Sequence, residues 1–293
     1  MEFITLIKYD KICILKNNKN NYIKWQYDDL IIEKFEKDLI PKINKEIIIY
    51  DKSFLMHHRY YDNFKHFTET FNILDSYLRC KDNKRLVLNN SIYIKIKPII
   101  EILNIDIKNI IILQDYFKYK FLNLTYNNIN NDKLYDELNN LSIIKTLIDN
   151  IESSKNLNYT KYNKIYLKRG LLKRGPINEN LLINFLKEKN FKILKFTNDT
   201  NILEQIYTIY YADEIIAPIG AGCNNIIFKN ETCYFKCLIP DYWGYRGWAD
   251  IYKRFENYKI IKCGSLCGEI QKDCCNTDWV LNENCIHTNI LNS

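Results

Sequence analysis

The sequence predicts an α/β protein in two halves, each built around its own sheet. Two observations predict it. Short apolar runs alternate with longer segments of helical apolar spacing along most of the 293 residues, the pattern of a mostly parallel sheet with helices on both faces. The alternation breaks at the linker-like stretch Asn127-Asn128-Ile129-Asn130-Asn131-Asp132 and then starts again.

In the first half, Phe3–Ile7 and Lys11–Leu15 read as short strands, and Glu46–Tyr50 as a buried one. Phe64, Phe67, Phe71, Leu74 and Leu78 recur at helical spacing, so an amphipathic helix is expected over about Asp62–Arg79. Arg85–Leu88 is a strand, Tyr93–Leu103 a helix with Pro98 as a kink point, and Asn109–Leu113 another strand. The second half opens with a helix over about Lys133–Glu152 and a strand Lys164–Lys168 that ends at Arg169-Gly170. Pro176 and Asn178 introduce a helix to about Lys189, and Phe191–Phe196 is a strand. Asn201 and Glu204 form a capping box for a helix to Ala212. Strand Glu214–Ala217, a Gly-rich turn, a short helix and strand Tyr234–Ile239 follow. The expected domains are residues 1–130 and 131–275, with residues 276–293 as a tail packing back on the body; the cysteines from Cys263 to Cys285 make the C-terminal part of the chain a Cys-rich tail.

Composition narrows the function classes. No stretch approaches the roughly 20 apolar residues of a transmembrane helix, and the N-terminus lacks the basic-then-apolar layout of a signal peptide. The expectation is a cytoplasmic protein without a membrane span. Asn, Ile, Lys and Tyr are abundant, as in an AT-rich genome, so the net charge of +7 reads as scattered surface Lys rather than a nucleic-acid groove. In such a chain the few Arg are informative, because bidentate phosphate binding favours Arg over Lys. Arg169, Arg174, Arg246 and Arg254 all lie in the second half. The ten cysteines include no C-x-x-C pair, which argues against a zinc ribbon. Free thiols are expected, with a disulfide in the tail as the alternative.

All eight glycines fall between Gly170 and Gly268, and Gly220 and Gly222 sit between a strand and a helix start. A strand feeding a helix through glycines presents backbone N–H groups at a positive helix end, which suits a phosphate. In open α/β sheets the ligand lies beyond the carboxyl ends of the strands. Arg169, Gly220, Gly222 and the segment Pro240-Asp241-Tyr242-Trp243-Gly244 all follow strands. These residues predict a phosphate-bearing ligand in the second domain.

The motifs Tyr166-Leu167-Lys168-Arg169, Arg174, Asn178-Glu179, Gln205, Ala212-Asp213 and Gly220-Ala221-Gly222-Cys223-Asn224-Asn225-Ile226-Ile227-Phe228 stand in the order typical of glycosyltransferase family 61. Asn63-Phe64-Lys65-His66-Phe67-Thr68-Glu69 resembles part of that family's acceptor-side domain, and the resemblance covers roughly Asp62 to Tyr258. It implies two Rossmann-like domains facing across a cleft, the GT-B plan. The first would bind the acceptor and the second a nucleotide sugar, usually a UDP-sugar. It also implies inverting transfer to a glycan or protein acceptor without a metal or other cofactor, with backbone amides and basic side chains neutralising the diphosphate. Two positions depart from the family pattern: Ile219 stands in place of a His before Gly-Ala-Gly, and Cys237 in place of an acidic residue.

With this resemblance, Gly220, Ala221, Gly222, Cys223 and Asn224 are expected to line the diphosphate pocket, and Arg169 and Arg174 to grip the phosphates. The competing readings are a purely structural turn and surface ion pairs. His66 or Glu69 is expected to activate the acceptor hydroxyl, with Asp241 as a rival base; the bland readings are an interior histidine and a solvated helix charge. His58, Trp243, Tyr245 and Arg246 are expected to hold the acceptor or form a lid, against a role in plain packing. Two other functions stay open: a catalytically inactive glycan- or partner-binding protein, and a nucleic-acid-binding protein suggested only by net charge.

Overall fold

The computed structural model describes residues 4–9, 12–16, 22–25, 45–56, 67–114, 117–126, 142–169, 175–197, 199–241, 249, 251–266 and 278–290. The expected linker and residues 62–66 and 133–141 lie outside these. The chain divides into two compact units, Met1–Leu134 with Leu141–Ile143, and Tyr135–Asn140 with Ile144–Ser293.

The first unit holds a seven-stranded sheet in the order β3-β2-β1-β7-β4-β5-β6. Its strands are β1 (Ile4–Tyr9), β2 (Ile12–Lys16), β3 (Tyr22–Trp25), β4 (Lys45–Met56), β5 (Lys84–Asn89), β6 (Ile110–Leu113) and β7 (Phe117–Tyr126). Helix α1 (Phe67–Arg79) joins β4 to β5, and α2 (Asn90–Ile102) joins β5 to β6. Here the expectation of a mostly parallel sheet is corrected. The strands β7, β4, β5 and β6 are parallel, but β1, β2 and β3 add an antiparallel meander at one edge. The reason is connection length: the short link between Tyr9 and Ile12 permits a hairpin and no crossover.

Sequence reading missed β7. Phe117, Tyr119 and Phe121 alternate with Lys118 and Lys120, and the aromatics stack at 6.2 Å along one face. Both lysines pair with Glu46 of β4, at 2.9 and 2.7 Å. Strict alternation of this kind is the signal of a half-buried strand. In β4 the register shifts between Ile49 and Lys52. Before the shift burial alternates, with Ile48 and Tyr50 exposed around Ile49; after it Ser53, Phe54, Leu55 and Met56 are all buried. Ile49, Leu55, Val87, Leu113, Tyr119, Phe121 and Leu124 form one core of this unit.

The second unit carries α3 (Ser142–Ser153), β8 (Lys164–Leu167), α4 (Glu179–Glu188), β9 (Lys192–Leu194), α5 (Ile202–Tyr210), β10 (Glu214–Pro218), β11 (Tyr234–Ile239) and β12 (Tyr258–Lys262). A 3₁₀ helix, Ala221–Phe228, lies between β10 and β11. Its five strands are all parallel, in the order β12-β11-β10-β8-β9. This is a Rossmann-like doubly wound sheet, numbered 2-1-3-4-5 from the β9 edge. Ile165, Tyr166, Ile215, Ile216, Ala217, Phe235 and Leu238 are fully buried, because helices cover both faces of such a sheet and its inner strands have no polar side.

Two helix starts differ from expectation. Asn201 does cap α5, but its Oδ1 accepts from Leu203 N at 2.9 Å, closer to the helix start than a capping box requires. Asn178 stands at the start of α4 without capping it. Its carboxamide instead clamps the backbone of Leu281: Nδ2 donates to Leu281 O at 3.0 Å and Oδ1 accepts from Leu281 N at 2.8 Å. The antiparallel pair β13 (Gly264–Leu266) and β14 (Trp279–Leu281) was not foreseen. Trp279, Leu281, Cys285, Ile286 and Ile290 share one hydrophobic cluster with Leu182, Leu186, Ile216 and Leu238. Cys80, Cys223, Cys233, Cys237, Cys263 and Cys285 are free thiols. Among the described residues no helix is long and apolar enough to cross a membrane.

Candidate functional site

In the second unit, β9 lies on one side of β8 and β10 on the other. The chain leaves β8 in one direction for β9, then returns to build β10, β11 and β12 the other way. The crevice beyond the carboxyl ends of β8 and β10 is therefore the switch point where doubly wound sheets bind ligands. Arg169 follows β8 and Gly220 follows β10, and Tyr166 pairs with Ile216 in register. Two motifs 50 residues apart in sequence thus meet at one place.

The exit of β8 is fixed by a buried carboxylate. Glu179, 6% exposed in the first turn of α4, accepts from Tyr166 Oη at 2.9 Å and from Arg169 N at 3.0 Å. Burial first, and the Glu179 carboxylate second, push the Tyr166 hydroxyl well above the usual tyrosine range, so it stays a donor. The Arg169 side chain then crosses to the other strand end, where Nη1 donates to Ile219 O. Ile219 N donates in turn to Leu238 O at 2.8 Å. The backbone just before the glycines is held from both sides.

Gly220 has φ of 153°, a region L side chains rarely adopt. A Cβ there would also sit 2.6 Å from Arg169 Cζ, so a side chain at this position would strain the backbone and displace the guanidinium. Cys223 N donates to Gly220 O at 2.9 Å, which closes the first turn of the 3₁₀ helix. The N–H groups of Ala221 and Gly222 precede any i−3 partner within that helix, so they are the end that can receive an anion. Gly222 is exposed, with open space where a side chain would be. Asn225 Nδ2 donates to Gly222 O at 2.8 Å.

Beneath the loop the side chains are buried. Cys223 Sγ lies 3.6 Å from Cys237 Sγ and 3.5 Å from Pro218 O. Burial pushes the Cys237 thiol well up. The hydrogen bond from Cys237 holds the Cys223 thiol below its usual range, and the Arg169 charge adds to this. Asn224, 4% exposed, accepts at Oδ1 from Tyr252 Oη. Ile219 and Cys237, the two departures from the family pattern, are 2% and 0% exposed, so each side chain packs inward.

The structure brings Arg169, Gly220, Ala221, Gly222, Cys223 and Asn224 together, with the side chains of Cys223 and Asn224 facing inward rather than to solvent. Asp241 follows β11 at the same edge; it is exposed, and its carboxylate pairs with Lys262 Nζ at 2.7 Å. Gln205 donates from Nε2 to Thr200 O at 3.4 Å. His58, His66, Arg174, Trp243, Tyr245 and Arg246 lie outside the described residues, as do the side chains of Glu69 and Ala221. Among the described residues no three His, Cys, Asp or Glu side chains come together to hold a metal ion. Sequence reading missed the role of Glu179, because an acidic residue in a first helical turn looks like an ordinary partner of the helix dipole.

The family model for Glycosyltransferase 61 matches residues 6–235. No curated protein matches the chain.

Proposed function

The chain belongs to glycosyltransferase family 61, and from that premise we propose that it moves a sugar from a UDP-sugar to a glycan or protein acceptor, with inversion and without a metal. The observation that carries the donor side is the meeting of Arg169 with Gly220 at the β8/β10 switch point. In this reading the diphosphate sits against the N–H groups of Ala221 and Gly222. The Arg169 guanidinium beside them stabilises the charge that grows on the leaving group as the glycosidic bond breaks. Arg174 is the second proposed phosphate ligand. One base must deprotonate the acceptor hydroxyl, and His66, Glu69 and Asp241 are the proposed bases. His58, Trp243, Tyr245 and Arg246 are assigned to the acceptor or to a lid. The donor is assigned to the second unit, and a cytoplasmic location completes the proposal.

The test is a melting screen with UDP, GDP, TDP and CMP in EDTA, followed by assay of UDP release from UDP-sugars. Stabilisation by UDP alone in EDTA is the expected result; stabilisation only with Mg²⁺ or Mn²⁺ would oppose the metal-free reading.

A second reading has its own observation. Ile219 and Cys237 are buried, so neither side chain supplies the polar contact that the family's His and acidic residue offer. A chain that binds the nucleotide but does not turn it over would have this pattern. Tight UDP binding without UDP release from any UDP-sugar would select it.

A further inference from the structure

Among the described residues two buried side-chain polar atoms lack a hydrogen-bond partner, Tyr159 Oη and Asn225 Oδ1. The second belongs to the loop just described. Asn225 is 3% exposed. Its Nδ2 is committed to Gly222 O at 2.8 Å, and turning the carboxamide over would set two acceptors against each other. The oxygen is therefore fixed in place, desolvated and unmatched, on the same carboxamide whose nitrogen bonds Gly222 O. Native proteins keep few such atoms, because an acceptor stripped of water and left unpaired is costly.

A phosphate cannot supply what this oxygen lacks. Phosphate oxygens at neutral pH accept hydrogen bonds, so the diphosphate belongs with the N–H groups of Ala221 and Gly222, and Asn225 Oδ1 calls for a donor. Of the groups on a nucleotide sugar, the hydroxyls are donors that lie next to a diphosphate on either side, on the ribose and on the sugar. Resting on the reading of the loop as a diphosphate site, we infer that Asn225 is a specificity-determining residue whose Oδ1 accepts from a ligand hydroxyl adjoining the diphosphate.

The experiment is a binding cycle on the full chain. UDP, 2′-deoxy-UDP, 3′-deoxy-UDP and UDP-glucose are titrated into the wild type, Asn225→Leu and Asn225→Asp. Asn225→Leu removes the acceptor; Asn225→Asp keeps one, although it also turns an acceptor towards Gly222 O and adds a negative charge beside the diphosphate, so it is read only through ratios between ligands. Taking ratios between ligands within each protein cancels any general loosening of the loop. Loss of a ribose hydroxyl should weaken wild-type binding about tenfold or more and leave Asn225→Leu nearly indifferent, with Asn225→Asp still discriminating. If the sugar supplies the hydroxyl, UDP binds wild type and Asn225→Leu alike in relation to its deoxy analogues, and the advantage of UDP-glucose over UDP disappears only in Asn225→Leu. Ratios that are the same in wild type and Asn225→Leu overturn the inference and leave a structural water as the partner. Should Asn225→Leu not fold, equal binding of all four ligands by the wild type overturns it as well. Failure of UDP itself to bind the wild type would instead remove the diphosphate reading on which the inference stands.

Discussion

The Arg169 guanidinium fills the space that a side chain on Gly220 would occupy, with Cζ 2.6 Å from the position of an added Cβ. The arginine and the glycine are thus one unit. Gly220→Ala must either expel the guanidinium from Ile219 O or deform a backbone already at φ 153°. It is expected to cost roughly 2 kcal/mol of stability and to weaken UDP binding about tenfold or more. Urea unfolding and calorimetric titration check the two effects separately.

Glu179 should matter more for what it leaves behind than for its charge. Glu179→Ala strands the buried Tyr166 hydroxyl and the Arg169 N–H, at a cost of roughly 2–4 kcal/mol. Glu179→Gln keeps the accepting oxygen and should cost less than half of that. The order of the two midpoints in a denaturant series is the readout.

Stability should fall in alkaline solution. Burial raises the Cys233 thiol to about 12 and lifts Tyr166 well above its usual value. The folded chain then holds these protons to higher pH than the unfolded chain does. Their contribution is complete below the unfolded values, near 9 for the thiol and 10 for the phenol, and is lost as pH rises beyond them. Cys223, held low by Cys237, acts in the opposite direction over the thiol range. Urea midpoints should drop between pH 8 and pH 10.5, and Cys233→Ala should flatten the lower part of that drop.

Lys236 ties the C-terminal segment to the sheet. It is 5% exposed, pairs with Glu214 at 2.7 Å and donates to Ile290 O at 2.9 Å. Lys236→Met removes the donor to Ile290 O, while Glu214 keeps Lys164 at 3.6 Å, and should cost roughly 1–3 kcal/mol. Hydrogen exchange over residues 286–290 should speed up before the rest of the second unit is affected.

Much of the second unit was legible because its strands are buried on both faces. Runs such as Ile215-Ile216-Ala217, short, β-branched and bounded by Asp213 and the Gly220 turn, fit a covered parallel strand. The order of Arg169 and the glycines was legible too, since both follow strands. Their contact was not, because it depends on β8 and β10 being neighbours while β9 lies outside. In the first sheet β1 and β2 were read close to their observed bounds, but β7 was passed over because its alternation of Lys with aromatics contains no continuous apolar run and its partner Glu46 is remote in sequence. Asn178 and Glu179 read as a routine helix start, and only tertiary structure turns one toward Leu281 and the other toward Arg169.

The most direct test is titration of UDP, in EDTA, into the wild type and Arg169→Lys. Lysine keeps the charge but not the planar fork that reaches Ile219 O beside the glycines. The expected result is metal-free binding by the wild type and an affinity at least about tenfold lower in Arg169→Lys, measured on the fully folded protein well below its melting temperature. Equal affinities, or no binding by the wild type without a divalent ion, would contradict a diphosphate site built from Arg169 and the Gly220 turn.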